Sequence, residues 1–397
     1  MKPEQEHFVA ISIEAANEFM AKRGWQRHSC DECHSTYFSK PSTNTDISVC
    51  GWRKCDKGNY PFRAYTKRKK MLPPVQISTD MSEYFRSAGF DSVAPQNIAN
   101  FDGQTDLVIA GVQMFDGIIH RNQDIRSDKV FVSQPCVRMQ FQPHVELREG
   151  TSTSFVNVCT EQMGAEFSEH LQSVDHWCTI LSKLGLHMND FVIVMRTSVN
   201  DWGTGKFSSI ELFFSYGGLE LGDAAYLLIP QPSRSAIPIS DIGFGLERIA
   251  WAVNKTDSYF DTLTPWTASG AREMFDLFRT IALLVLCGVR AANKGPGLQF
   301  RRLAKVLSEK YCGADIHSAI AYYFDYWAKF IKPSIGRDVT IQITRLEIER
   351  FVNLKVCAML GLPPPRDETT EAYFDRLVYT GGISIHELRE ALQACKT

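Results

Sequence analysis

The chain has 397 residues, 44% hydrophobic and 22% charged, with a net charge of −2. It is long enough to bury a large core in two or three domains, and its composition is globular rather than disordered or fibrous. A balance this close to neutral excludes a global basic field for nucleic acid, so any such partner must meet a local patch. The most basic run, residues 63–70, reads first as a solvated loop. The polar start lacks the apolar stretch of a signal peptide, and the most apolar run, 281–289, is too short to span a bilayer. A cytoplasmic protein without membrane contact is expected. Eleven cysteines in a reducing compartment are not a disulfide framework; closely spaced ones are metal-ligand candidates.

In chain order, 7–24 has the spacing of an amphipathic helix ending at Arg23-Gly24. Two close pairs follow, Cys30 with Cys33 and Cys50 with Cys55. That is the spacing of a four-thiolate tetrahedral zinc site, able to staple a region with little core of its own. Four buried thiols are the alternative, and His34 is a weaker substitute ligand. Residues 79–90 predict a second amphipathic helix, and 106–115 an apolar, buried strand. Residues 130–138 alternate like a half-buried strand and end on Arg138. A second strand, 153–159, carries Phe155, and 166–184 is a packing helix. Residues 190–196 read as a buried strand, Trp202 sits beside a glycine-rich loop, and strands at 209–214 and 218–225 carry Glu211, Glu220, Asp223 and Ala225. An apolar strand, 224–230, leads by a loop to Asp241-Ile-Gly-Phe-Gly-Leu-Glu-Arg248. There Gly243 and Gly245 are expected to turn the backbone tightly into a helix and leave room for something to lie against it. Arg248, in the first helical turn, suits a phosphate or a ring face. Taken alone, such a segment is a glycine-punctuated turn with a surface arginine. Helices are predicted over 271–292, 298–311, 317–331, 344–360 and 385–395.

Three stretches together resemble one family. Residues 241–251 resemble motif 3 of class II aminoacyl-tRNA synthetases, specifically the alanyl-tRNA synthetases. Gln134-Pro-Cys136-Val-Arg138 is close to motif 2 of the archaeal-type enzymes, which also carry a similar cysteine quartet near the N-terminus. The resemblance covers roughly residues 10–305. It implies that Arg138 contacts the α-phosphate of ATP and the amino-acid carboxylate, that Phe155 packs under the adenine, and that Arg248 holds the γ-phosphate. Gly243, Gly245 and Glu211 complete the ATP site. Trp202 would wall the amino-acid pocket, Ala225 face the substrate side chain and Asp241 bind the α-ammonium. Glu211 and Glu220 are candidates to hold Mg2+, with a structural role as the alternative. Asn293 keeps the position that reads the acceptor stem of tRNA, and helix punctuation is the competing reading.

The chain also departs from the pattern. The loop at 141–149 differs, Val156-Asn157 stand in place of Glu-Met, and Ala291-Ala292 replace Pro-Ser before Asn293. Asp223 replaces the usual Thr or Asn, an extra acid with consequences for which amino acid is accepted. No editing motif or C-terminal oligomerisation domain is read in the 397 residues.

The expectation is therefore an α+β protein: a class II synthetase-like antiparallel sheet flanked by helices. Its divisions are 1–75 (helix and zinc knuckle), 76–265 (adenylation domain) and 266–397 (a shortened helical tRNA-recognition domain). The expected reaction is ATP-dependent activation of alanine or a similarly small amino acid, with ATP, Mg2+ and Zn2+. The expected acceptor is a small-molecule amine or a carrier protein of specialised metabolism, such as antibiotic biosynthesis. The alternatives are a minimal alanyl-tRNA synthetase charging tRNA and an inactive paralogue acting as a binding module.

Overall fold

The computed structural model describes residues 3–41, 50, 60–99, 105–121, 128–139, 147–202, 205–230, 235–266, 272–310, 315–362 and 370–394. The chain opens with α1 (Pro3–Lys22) and a hairpin of β1 (Gln26–Ser29) and β2 (Thr36–Ser39). Then come α2 (Pro74–Ser87), β3 (Asp91–Ser92), a 3-10 turn at Gly111–Phe115 and α3 (Asp116–Arg121). The long strands follow: β4 (Lys129–Val137), β5 (Ser154–Met163), and, after α4 (Phe167–Lys183), β6 (Phe191–Trp202), β7 (Gly205–Tyr216), β8 (Leu219–Ile229) and β9 (Ile237–Gly245). Helices complete it: α5 (Leu246–Asn254), α6 (Arg272–Leu286), α7 (Gly295–Lys310), α8 (Ile316–Trp327), α9 (Arg337–Leu360), α10 (Thr370–Tyr379) and α11 (Ile385–Ala394).

The α+β class expected from the sequence is what the chain adopts. One nine-stranded sheet runs β1-β2-β6-β7-β8-β9-β5-β4-β3, antiparallel except for the short β3–β4 pair. Strands of 9–12 residues joined in sequence by antiparallel pairs let β6 to β9 form a meander, and β5 then pairs with β9. Successive residues point to opposite faces. In β9, Ile242 and Phe244 go to one face, where Phe244 stacks on Trp177 of α4 at 4.4 Å between ring centroids. Asp241, Gly243 and Gly245 go to the other. The first face carries the main core, which continues without a break from α1 through α4 and α5 into α6 and α8. The second face is closed at one end by the 3-10 turn and α3, over Met163, Ala225, Leu227 and Ile239. At the other end it is open.

Several local expectations are corrected. Residues 106–115 are not a strand: after one bridge, Ala99 to Leu107, the chain makes the 3-10 turn. Gln113 causes this, its side-chain oxygen accepting from the backbone N–H groups of Ile109 and Ala110. Strand β4 is buried on both faces rather than one. The second helix starts at Pro74, whose fixed φ suits the first helical turn. Strand β6 runs on through Trp202, and α10 was not foreseen. The segment ending at Gly245 is itself a strand, so Gly243 and Gly245 do not turn the chain; neither has a positive φ. They leave space: a Cβ on Gly243 would lie 2.9 Å from the Asn157 amide. Gly222 opposite is tighter still, 2.2 Å from the Gly243 carbonyl oxygen.

Strand β9 ends opposite Asn157, so the start of β5 loses its partner on that side. Buried side chains take over. The Glu247 carboxylate accepts from Val156 N–H at 3.0 Å, Asp276 accepts from Thr153 N–H at 3.0 Å, and Arg279 donates to the Ser154 carbonyl. Glu247 and Arg279 also pair with each other, both 1% exposed, and Tyr326 donates to Glu247 at 3.1 Å. Arg279→Met should strand the Glu247 charge in the core and cost about 3–5 kcal/mol of stability. Denaturant unfolding would read this directly; an unchanged midpoint would mean the pair carries no stability.

Candidate active site

A cavity of about 240 Å³ opens on the second sheet face where β9 gives way to α5. Its walls bring together seven of the residues singled out from sequence; Asp241, Glu211 and Ala225 are not among them. Arg138 follows β4, Phe155 and Asn157 lie on β5, Asp223 on β8, Gly243 and Gly245 on β9, and Arg248 on α5; Glu220 lines it as well. The Arg138 guanidinium lies over the Phe155 ring, 5.0 Å from its centroid, and its Nε donates to the Ile109 carbonyl at 2.9 Å. That holds the arginine by one nitrogen and leaves the fork edge toward the cavity. Arg248 is fixed similarly, Nε to Gly150 O at 2.7 Å and Nη1 to Glu220 O at 2.9 Å.

Register places a row of acids deeper on the same face. Glu211, Ala225, Asp241 and Glu161 are consecutive cross-strand partners on β7, β8, β9 and β5. Glu211 does not reach the cavity wall; it accepts from Ser198 and Ser209 hydroxyls at 2.8 and 2.5 Å. Ala225 belongs to the apolar cluster that closes the far end. Glu161 is fully buried, against the Asp241 carboxyl and the Cys159 thiol, under Gly111, where a Cβ would stand 2.9 Å from its Oε1. Burial, and then the Asp241 charge, hold Glu161 well above the usual carboxylate range. Burial lifts Asp241 to about 6, with the Glu161 contact and Arg138 pulling the other way. Asp223 is likewise pushed well up by burial, then by Asp241, Glu211 and Glu220. The face thus holds more carboxyls than cations, and a ligand cation would displace protons from it.

Sequence reasoning missed Glu161, Glu247 and the position of Asn157. Their signal was the period of two from Phe155, which puts 155, 157, 159 and 161 on one face. The side chain of Trp202 and all of Cys55 fall outside the described residues. Of the cysteine quartet, Cys30, Cys33 and Cys50 converge, their sulfurs within 4.8 Å of one another. The first pair forms the β1–β2 hairpin turn, with His34 at φ 57° and its N–H donating to the Cys30 carbonyl at 2.8 Å. The Cys50 N–H points at the Cys30 sulfur at 3.4 Å, and Cys33 and Cys50 sulfurs are 3.6 Å apart. A tetrahedron of Zn–S bonds puts sulfurs roughly 3.8 Å apart, so the three fit a zinc ion. Asn293, exposed before α7, accepts from Arg301, which also pairs with Glu347 at 3.2 Å. The basic run at 63–70 is mostly exposed, with Lys67 paired to Asp257.

The curated proteins to which this chain is similar are alanine–tRNA ligases. No family model matches the chain. The alanine–tRNA ligase of Halobacterium salinarum is 19% identical over 420 residues, covering 94% of this chain and 44% of that protein. That of Staphylothermus marinus is 25% identical over 277 residues, covering 64% and 28%. The chain therefore spans less than half the length of the curated relatives it matches. Among solved structures, an asparaginyl-tRNA synthetase from Entamoeba histolytica is similar at 12% identity and a TM-score of 0.34, over 48% of this chain and 65% of that one. A pyrrolysyl-tRNA synthetase from Desulfitobacterium hafniense is similar at 16% and 0.30, over 47% and 68%. No helix among the described residues is long and apolar enough to cross a membrane.

The Asp241 environment gives a test. Its folded pKa of about 6 lies above the ordinary 3.8, so the folded state keeps a proton that the unfolded chain releases as pH rises from 4 to 6. Its contribution to stability is therefore lost across that window. Comparing Asp241→Asn with the parent cancels His170, whose burial-lowered pKa of about 3 acts in the opposite sense. Relative to the parent, the variant should gain stability between pH 4 and pH 7 in denaturant titrations. A constant difference would show that Asp241 titrates normally.

Proposed function

We propose that this chain activates a small amino acid, alanine or one built on its skeleton, with ATP. The substrate carboxylate oxygen attacks the α-phosphorus, the bond to the leaving oxygen breaks, and aminoacyl-AMP and pyrophosphate result. The observation carrying this reading is that Arg138, Phe155 and Arg248, from three separate elements, meet around one cavity. In this reading Phe155 packs against the adenine and Arg248 holds the γ-phosphate. The Arg138 fork neutralises charge on the α-phosphate and carboxylate as they join, and Asp241 anchors the α-ammonium. Positioning and neutralisation are the catalysis such a transfer needs. Mg2+, with Glu220 as the nearer of the two candidate carboxylates, would screen the phosphates. Arg138→Ala should lower the rate of amino-acid-dependent ATP–pyrophosphate exchange roughly 100- to 1,000-fold. Exchange undiminished in that variant would remove Arg138 from the chemistry.

The acceptor suggested by the relatives' names is tRNA. A second reading, transfer to a small-molecule amine or a carrier-protein thiol, is favoured by one observation. The Asn293 side-chain oxygen is already taken by Arg301, itself paired with Glu347. Offering tRNA and then carrier thiols to the enzyme loaded with adenylate separates the two: product on tRNA supports the first reading, and turnover only with the others the second.

We also infer that Cys30, Cys33 and Cys50 hold zinc, with Cys55 as the remaining sequence candidate. The metal would brace the hairpin and supply no chemistry to the cavity. Hydrogen bonding and the neighbouring sulfurs outweigh the burial that opposes them and bring the Cys33 thiol down to about 6, so it meets a cation as thiolate at neutral pH. Native mass spectrometry should find one zinc per chain, lost in Cys30→Ser. A metal-free wild-type protein would overturn this.

A further inference from the structure

The amino-acid end of the cavity is rich in acceptor oxygens and poor in donors. Asn157 is 8% exposed and lines the cavity, and its Oδ1 accepts no hydrogen bond among the described residues. Behind that wall the fully buried Glu161 carboxyl meets the Asp241 carboxyl and the Cys159 thiol and, among the described residues, no cation. Asp223 is on the cavity wall with Asp241, Glu211 and Glu220 crowding it and Arg138 as the offsetting charge. A buried acceptor left without a donor is costly. An alanine methyl would make this worse, since it would cover these atoms without offering a hydrogen.

The register fixes how far apart these acceptors are. Ala225 pairs with Asp241 and Asp223 with Gly243, so Asp223 and Asp241 are diagonal neighbours on one face. Their Cβ atoms are therefore somewhat less than about 7–8 Å apart, with the carboxyls free to converge. Asn157 pairs with Gly245, one step further along, and its amide lies over Gly243 where a Cβ would stand. Asp223 and Asn157 thus line one space, with Asp241 next to it on the same sheet face. A metal ion fits this less well. Among the described residues the converging ligand set is that of the three cysteines, and the acids do not draw their oxygens around one point.

We infer that the substrate is a short diamino acid, an α-amino acid whose side chain of one or two methylenes ends in an ammonium. The α-ammonium rests on Asp241, and the side-chain ammonium on Asp223 and the Asn157 side-chain oxygen. Binding replaces protons on the crowded carboxyls with fixed charge, and the Asp241–Glu161 pair gains a cation to share. This rests on the adenylation reading and names its substrate.

The test is ATP–pyrophosphate exchange with alanine, 2,3-diaminopropionate and 2,4-diaminobutyrate, with calorimetry for binding. The wild-type chain should prefer a diamino acid over alanine by on the order of 10,000-fold in kcat/KM, as sites built to meet a polar group do. Asp223→Thr and Asn157→Met should each erode that preference, mostly through KM, and together raise alanine above the diamino acids. Asp223→Asn, nearly isosteric, keeps the test sound if the larger changes fail to fold. Exchange that prefers alanine, with the diamino acids at background, overturns this inference and leaves adenylation standing. So does an Asp223→Asn variant that needs more Mg2+ with unchanged amino-acid preference, since Asp223 would then serve the metal. Diamino-acid binding that Asp223→Asn weakens, without any exchange, keeps the site and removes adenylation. Neither exchange nor binding overturns both.

Discussion

The contact on which the site depends is the buried Glu247–Arg279 pair. A charge pair taken out of water is no gift to stability unless its remaining lone pairs and protons are satisfied. Here they are, by the Val156 N–H, the Ser154 carbonyl and Tyr326, with the guanidinium also 4.3 Å from the centre of the Trp327 ring. The geometry explains why charge rather than hydrophobic packing was placed there. Where β9 turns into α5, the edge of β5 is left with unpaired backbone groups, and apolar side chains could not have met them. One carboxylate at the start of α5 and one guanidinium from α6 therefore do the work of the missing strand. The same contact couples the helices α5 and α6 to the start of β5 beside the cavity.

The cavity lies between that neutral, fully satisfied knot and a row of carboxyls that is neither. Asp276, beside the knot, is also lifted to about 6 by burial, but it accepts two short contacts from Thr153 N–H and stays a structural group. Asp223, Asp241 and Glu161 have no comparable set of donors, and the charges beside them are mostly of their own sign. Low dielectric raises the stakes of both arrangements. A network whose donors and acceptors match is rigid; one with a surplus of acceptors stores free energy that a cation releases.

The residues that carry chemistry stood out in the sequence because the arginines of Gln-Pro-Cys-Val-Arg138 and Gly-Phe-Gly-Leu-Glu-Arg248 occur in one chain, with Phe155 on a strand between them. Arg138, Phe155, Arg248 and Gly243 all reach the cavity. Of the two expectations for the glycines, room is met and the tight turn is not, since a strand that needs space and a turn that needs positive φ are written with the same letter. Only the partner strand decides between them: Gly243 faces Asn157. Glu247 was passed over because an acid in a first helical turn ordinarily faces water and favours the helix dipole; its burial depends on α6 and α8, far off in sequence. Residues 106–115 misled for a related reason. An apolar run of that length is as ready to cap a sheet face as to join it, and Gln113, the lone long polar side chain among Val112, Met114 and Phe115, settles the matter by bonding backward to its own backbone.

Scaffold and selectivity are consequently carried by different atoms. The strand pairing is held by the β8–β9 backbone ladder, too close at Gly222 for a Cβ, and by the Glu247–Arg279 knot, none of which depends on what Asn157 and Asp223 are. Those two side chains project from strands whose registers are already fixed, into space that neighbouring glycines leave open. They can change from apolar to polar at little cost to the sheet, provided the ligand brings the donors that they then require. A departure from a family pattern in the pair would unfold the site, whereas a departure at the two acceptors re-addresses it. In this chain the departures from the alanyl pattern at 157 and 223 both add acceptors, and both line one cavity. Such a clustering of change in two non-adjacent strands has its physical meaning in the ligand that lies between them.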